Sequence, residues 1–232
     1  MNNPFAMTNL NVAIYPKQKA WSYSACSNHA TCPKKIKFSK IDRISDATPA
    51  MDRGQQIHKA CAARIDHGVD QNLLRPDWLA KIDELRARGA KSEKQLAFTI
   101  DWLPTEWYAP NVWGRIVIDA HYLMPPNIVQ VTEFKTGKVY PEHGTQLRLY
   151  ALAGFIMYPE AEEVRTENWY LDLAPSPGPG YVAKRSALPR LKQEFTEFAR
   201  PLLNDDLYPA TPGRHCNWCG FAKAKGGPCD FG

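Results

Sequence analysis

Apolar residues recur along this chain in two rhythms, and each change of rhythm marks the edge of an element. Between Pro49 and His67, the residues Met51, Gly54, His58, Cys61 and Ile65 fall on one stripe at helical spacing, and Gly68 follows as a stop signal. A second helix is predicted from about Pro76 to Arg88, with proline and aspartate in its first turn. Three strand-like runs come next, roughly Gln95 to Leu103, Val112 to Leu123 and Ile128 to Phe134, and their succession predicts a meander. Helical spacing returns from His143 to Met157. A strand is then expected from Val164 to Leu173, a Pro/Gly loop from Ala174 to Gly180, and an amphipathic helix from about Pro189 to Leu203.

The two ends read differently. Residues 1–21 are polar and unpatterned, and are expected to be loosely ordered. Ser22 to Lys40 is expected to be a short helix leading into a basic segment with Lys34, Lys35, Lys37 and Lys40. The tail after Asp206 is rich in Gly, Pro and Cys, and a segment of that composition holds a shape only through a metal or by docking on the body. No internal repeat is visible. The order helices, three strands, helix, strand, helix predicts an α/β (α+β) protein, a mixed sheet covered by helices on both faces. With 232 residues, 44% of them hydrophobic, the chain can bury a core as one domain without disulfides.

Charge changes the picture slightly. A balance of 29 basic against 24 acidic residues leaves +5, which suits a polyanionic partner without requiring one. No apolar run of about 18 residues occurs, and residues 1–21 lack the apolar core of a signal peptide. The expectation is a cytoplasmic protein in a reducing compartment, with no membrane partner. There, clustered cysteines more often bind metal than pair as disulfides.

Strand geometry puts residues i and i+2 on one face, so Glu133 and Lys135 project together while Phe134 points away. If the strand over 112–123 pairs with that over 128–134, Asp119 lies beside Glu133, and two carboxylates at that range repel unless a cation sits between them. Hard oxygen ligands suit Mg²⁺ or Mn²⁺. Taken alone, the Glu133-x-Lys135 pair reads better as two neighbours on a solvated surface, since such a spacing arises by chance in most chains of this length.

Further residues change that balance. Gly114 to Asp119, Glu133-Phe134-Lys135-Thr136-Gly137 and Gln146-x-x-x-Tyr150, with Gly54-x-x-x-His58 upstream, resemble the RecB-like exonuclease branch of the PD-(D/E)XK nucleases. The resemblance runs from Ser22 to Cys229 and is weak over 66–92 and 174–205. It implies a restriction-endonuclease-like mixed sheet flanked by helices. It also implies His58, Asp119, Glu133 and the Phe134 carbonyl as metal ligands, Lys135 as the catalytic lysine, and Gln146 and Tyr150 as residues that line the site. Glu93 resembles another acidic position of the family and ranks below these. Ile118 stands where relatives have proline, and the gap from Gly114 to Asp119 is long, so the register of that strand is open. A histidine on an apolar stripe is ordinarily a core residue, and only the company of Gly54 and the acidic pair makes His58 a ligand.

Cys216-x-x-Cys219 followed by Cys229 has the character of a metal site. In the iron–sulfur members of the resembling family the fourth ligand comes from near the N-terminus, and Ser22-x-Ser24 followed by Cys32-Pro33 resembles that segment. The resemblance therefore implies a 4Fe–4S cluster on Cys32, Cys216, Cys219 and Cys229. Zn²⁺, with His215 replacing Cys32, is the alternative. Cys26 and Cys61 read as buried thiols. The expected organisation is one nuclease domain over 22–232, in which 22–40 and 206–232 form a cysteine-bound lobe joining the two terminal segments.

The function so implied is a metal-dependent exonuclease acting on DNA with a free end or a single-stranded region, in recombination, repair or phage replication. A nuclease trimming DNA for integration in CRISPR adaptation shares every motif quoted, and a noncatalytic zinc-type DNA-binding module is the alternative of another class. Thr136-Gly137-Lys138 lacks the rest of a P-loop, so a helicase, recombinase or integrase would be supplied separately. Lys34, Lys35, Lys37, Lys40, Arg214, Lys223 and Lys225 read as a phosphate-binding rim or as a solvated face. Trp102, Trp107, Tyr108 and Trp113 read as base-stacking residues or, more often for such residues, as core.

Overall fold

The computed structural model describes residues 13–176 and 178–231. The expectation for residues 1–21 therefore lies, over 1–12, outside the described residues. Its remainder is corrected at Trp21, which is 1% exposed. Trp21 donates its backbone N–H to Trp113 O at 3.0 Å and packs edge-on against Phe98, Trp102, Trp113 and Phe198. A large aromatic surface gains more from such a nest than its flanking residues lose in chain freedom.

Among the described residues six strands form one mixed sheet: β1 (Lys91–Phe98), β2 (Pro104–Thr105), β3 (Gly114–Met124), β4 (Ile128–Lys135), β5 (Glu163–Tyr170) and β6 (Gly180–Lys184). Their spatial order is β2-β1-β3-β4-β5-β6. The pair β4–β5 is parallel and the others antiparallel, so a helical crossover must join β4 to β5. The helices are α1 (Tyr23–Thr31), α2 (Pro33–Ile36) running into a π-helical turn (Lys37–Ile41), α3 (Pro49–His67), α4 (Pro76–Ala87), α5 (His143–Met157) and α6 (Leu188–Asn204). None is long and apolar enough to cross a membrane.

Local signals account for the best-placed ends. The Thr48 hydroxyl accepts from Met51 N–H at 3.3 Å, Pro49 opens α3, and Gly68 closes it at φ 70°. The crossover α5 is buried on nearly every side from Gln146 onward, between the sheet and α6. In α6, Leu191, Phe195, Ala199 and Leu202 turn inward. One core lies on the α5–α6 face of the sheet and a second on the α3–α4 face, where Ile57, Cys61 and Ile65 meet Trp78, Ile82 and Phe134. Met51, expected on the α3 stripe, is 49% exposed, because the helix presents Ile57, Ala60, Cys61 and Ile65 instead.

Three strand boundaries differ from expectation. β1 begins at Lys91 and ends at Phe98, because Thr99–Leu103 closes a turn in which Thr99 N–H donates to Leu103 O at 2.9 Å and Trp102 sits at φ 63°. Ile100 and Leu103, apolar but exposed, misled the pattern there. β5 stops at Tyr170 as the chain turns, and β6 follows directly on a Pro/Gly run that masks it.

Candidate active site

The site forms where the sheet comes apart. The β3–β4 ladder stops at Ala120↔Thr132, while β4 continues along β5 as far as Lys135↔Tyr170. Beyond that fork Phe134 N–H donates to Asp119 Oδ2 at 2.7 Å, so a side-chain carboxylate replaces the lost strand partner. On the other edge of β3 the ladder with β1 passes from Ser92↔Ala120 to Lys94↔Ile118 and skips Glu93 opposite Asp119. Glu93 there has φ 47°, a left-handed conformation that costs a residue of its kind roughly 1–3 kcal/mol.

The kink reverses the faces of β3. Ile116 and Ile118 pack in the α5–α6 core and Ala120 in the α3–α4 core, although strict alternation would put all three on one side. Asp119 stands at the reversal, 6% exposed, with access to both layers. This settles the open register: Asp119 lies next to the Glu133 position across the hairpin.

From the α3 layer, His58 Nδ1 comes within 3.1 Å of Asp119 Oδ1. From the α5 layer, Lys135 Nζ donates to Glu133 Oε1 at 2.7 Å and to Gln146 Oε1 at 2.6 Å. The Gln146 amide donates to Glu133 Oε1 at 2.9 Å and to Tyr150 Oη at 2.7 Å. Glu133 and Lys135 thus share a face as their spacing predicts, and the Phe134 ring joins the opposite core. The side chains singled out in the sequence meet in two adjoining sets, His58 with Asp119 and Glu133 with Lys135, Gln146 and Tyr150, and the backbone of Phe134 links them through its N–H to Asp119.

Glu93 deserves a higher rank than its sequence position earns. Donor atoms of His58, Glu93 and Asp119 lie within 4.8 Å of one another, the one such group of three or more potential ligands among the described residues. Its off-ladder backbone explains the low rank, since a period-of-two reading carries no information at a kink.

Charge is crowded in this site. Burial raises the Glu133 carboxyl far above the usual range, and the Asp119 charge adds to the effect while Lys135 opposes it. Burial and the nearby Asp119 also raise Glu93. Burial pulls His58 down, yet the hydrogen bond and charge of Asp119 outweigh it and the imidazole ends above its ordinary value. Glu133 Oε2 is buried without a partner among the described residues. Carboxylate oxygens with one imidazole, too close to be comfortably ionised together, fit a hard divalent cation.

His58, Glu93, Asp119 and Lys135 open into a cleft of about 1020 Å³, lined also by Met51, Gly54 and Lys59, while Glu133 lies buried behind it. A Cβ at Gly54 would come 3.3 Å from Thr136 Oγ1, so a side chain of the turn after Lys135 approaches α3 closely there. Asp172 pins that turn, accepting from Gly137 N–H at 2.7 Å and from the Arg53 guanidinium of α3.

Outside this cleft Cys32, Cys216, Cys219 and Cys229 line one small cavity, together with His215, Phe38 and Phe221. The two terminal segments meet around it: Lys34 N–H donates to Pro209 O at 3.2 Å, the Thr211 hydroxyl donates to Thr31 O at 2.9 Å, and the Phe38 and Phe221 rings lie 5.3 Å apart. Burial works to raise the Cys32 thiol, but hydrogen bonds from Thr211, Lys34 and Lys35 leave it below its ordinary value. No three of the four sulfurs lie within 4.8 Å of one another. Cys26 and Cys61 are buried elsewhere, and burial alone pushes Cys26 up to about 12.

Of the four candidate stacking residues, Trp102 is buried and Trp113 half-buried in the aromatic nest, Tyr108 is 87% exposed, and Trp107 is half-buried beside Arg115. In the expected basic rim, Lys37 is paired with Asp42 at 2.6 Å.

A family model described as PD-(D/E)XK nuclease superfamily matches residues 20–224. No curated protein matches the chain. Solved structures similar to it include the crystal structure of SSO0001, at 15% identity and a TM-score of 0.44, covering 93% of this chain and 88% of that one. An exonuclease candidate from Eubacterium rectale is similar at 10% identity and a TM-score of 0.42, covering 79% of this chain and 81% of that one.

Proposed function

The chain belongs to the PD-(D/E)XK nuclease superfamily, and on that premise we propose that it is a Mg²⁺- or Mn²⁺-dependent deoxyribonuclease that hydrolyses DNA from an end. One observation carries the reading: His58, Asp119, Glu133 and Lys135, drawn from α3, β3 and β4, converge at the fork of the sheet with Gln146 locking the lysine from α5.

His58, Asp119 and Glu133, with the Phe134 carbonyl and Glu93, would hold the divalent ion, which when bound supplies an activated water and neutralises charge on the phosphodiester. Lys135 stabilises the charge that gathers on the phosphoryl oxygens as water adds to phosphorus and the bond to the leaving oxygen breaks. Gln146 keeps the ammonium at a fixed distance from Glu133, and the Tyr150 hydroxyl keeps the Gln146 amide from rotating.

The same proposal gives Cys32, Cys216, Cys219 and Cys229 a 4Fe–4S cluster. The lobe of residues 22–40 and 206–232 is then clipped shut as part of a single nuclease domain over 22–232. Cys32 lines one cavity with the three C-terminal cysteines, which supports a thiolate site fed from both terminal segments. Iron absent and zinc present in anaerobically purified protein would end that part of the reading. Six unpaired cysteines suit a reducing, cytoplasmic setting. Work on DNA ends in recombination, repair, phage replication or CRISPR adaptation fits this chemistry, with any helicase, recombinase or integrase supplied separately.

The test is hydrolysis of end-labelled linear DNA beside closed circular DNA, with Mg²⁺ or Mn²⁺. Nucleotides should be released from the linear substrate alone, and Glu133→Ala and Lys135→Ala should reduce the release to a small residual rate. DNA binding without cleavage under either metal would instead favour a noncatalytic DNA-binding module.

A further inference from the structure

A second cavity, of about 480 Å³, adjoins the metal-site cleft. The two share Ser24 and Val117, and the second also reaches Gln146 and Tyr150, so it meets the Lys135–Gln146 pair from the α5 side. Its charge is one-sided: Arg115 and Lys40 line it and no carboxylate does. The cleft, by contrast, mixes Lys59 and Lys135 with Glu93 and Asp119. Neither Arg115 nor Lys40 has an ion-pair partner among the described residues.

Arg115 is held at its guanidinium by its neighbour Trp107, on one edge only. Its Nε donates to Trp107 O at 2.8 Å, and its guanidinium lies 5.6 Å from the centre of the Trp107 ring. That arrangement fixes the plane and leaves both terminal amino groups for another acceptor, the fork that suits a phosphate. Beside it, the half-buried Trp107 offers aromatic surface, whereas Trp102 is buried and the half-buried Trp113 is already engaged by Trp21, Phe98 and Trp102. Arg115 and Asp119 are four residues apart on β3, about 13 Å along an extended strand, within reach of the next nucleotides of a chain whose reacting phosphate lies at Asp119.

We infer that this cavity receives a single DNA strand next to the reacting phosphodiester, with a neighbouring phosphate on Arg115 and Lys40 and a base against Trp107. The inference rests on the nuclease reading and adds the form of its substrate. A cavity of about 480 Å³ matches one nucleotide better than a base pair, which favours a strand already parted from its complement.

Binding and turnover test it together. In a Glu133→Gln background with EDTA, fluorescence anisotropy with a labelled oligothymidine should show binding weakened about tenfold by Trp107→Ala and by Arg115→Gln. Trp107→Phe should restore most of it. Lys40→Ala should lower the salt dependence by roughly one phosphate contact, a slope change of about 0.7. With Glu133 intact, the Arg115 and Trp107 variants should raise KM for single-stranded DNA about tenfold and leave kcat within about twofold. Unchanged binding and KM in both, while the unaltered chain cleaves DNA, would overturn the assignment of the cavity and leave the nuclease reading standing. A chain that neither cleaves nor binds DNA would take both down.

Discussion

Replacing Gln146 by leucine tests whether the lysine works only when held. Gln146 is 9% exposed and makes three hydrogen bonds, of 2.6 Å from Lys135, 2.9 Å to Glu133 and 2.7 Å to Tyr150. Two involve groups that can be charged, which contribute about 1.5–3 kcal/mol each, and the neutral one contributes about 1 kcal/mol. Lys135 and Glu133 keep each other at 2.7 Å, so the cost to stability should be about 2–3 kcal/mol rather than the full sum. Activity should suffer more. An ammonium free to swing by about 1 Å loses on the order of 10²-fold in rate, so kcat should fall by about that factor while KM changes little. The decisive assay is a double-variant cycle with Lys135→Met, folding being checked by circular dichroism. If Gln146 acts through Lys135, the double variant should be no slower than Lys135→Met alone, within about threefold. Rate losses that simply multiply would refute the reasoning, as would a Gln146→Leu enzyme of normal kcat.

Other expectations follow from single features. Glu93→Gln should raise the Mg²⁺ concentration for half-maximal activity about tenfold, on the scale by which neighbouring groups tune metal affinity; an unchanged midpoint would remove Glu93 from the ligand set. Gly114→Ala would put a Cβ 2.3 Å from the Phe98 ring and 2.9 Å from Trp21 Nε1. Overpacking of that kind costs about 1–3 kcal/mol, so Tm should drop by roughly 5–10 °C, and an unchanged Tm would show that the aromatic nest yields freely. Burial, with Lys94 and Lys91 nearby, lowers His121 to about 4 from an unfolded value near 6.5. The fold therefore prefers the neutral ring, and stability present above about pH 6.5 should be lost as pH falls towards 4, by at most about 3 kcal/mol. Urea unfolding of His121→Gln should show a flatter profile over that window, and parallel profiles would sink the idea.

Neighbouring residues wrote much of this protein. Thr48-Pro49 and Gly68 bound α3 because caps and breakers act within one turn of the backbone, and α5 was legible from His143 to Met157 for the same reason. The common face of Glu133 and Lys135, and of Gln146 and Tyr150, follows from fixed strand and helix periods. The motifs of the family stand at those positions, so the shape of the sheet and the candidate residues were readable before any coordinates. What sequence missed shares another cause. β6 hid behind its glycines and prolines, and Trp21 looked like part of an unpatterned end because its partners Phe98 and Phe198 are far along the chain. The face reversal at Asp119, the left-handed Glu93 opposite it and the fork between β3 and β4 depend on which helix covers each side of the sheet. Periodicity is a property of adjacent residues, whereas a kink is placed by packing from two layers at once; only the assembled fold could decide that one aspartate would reach both.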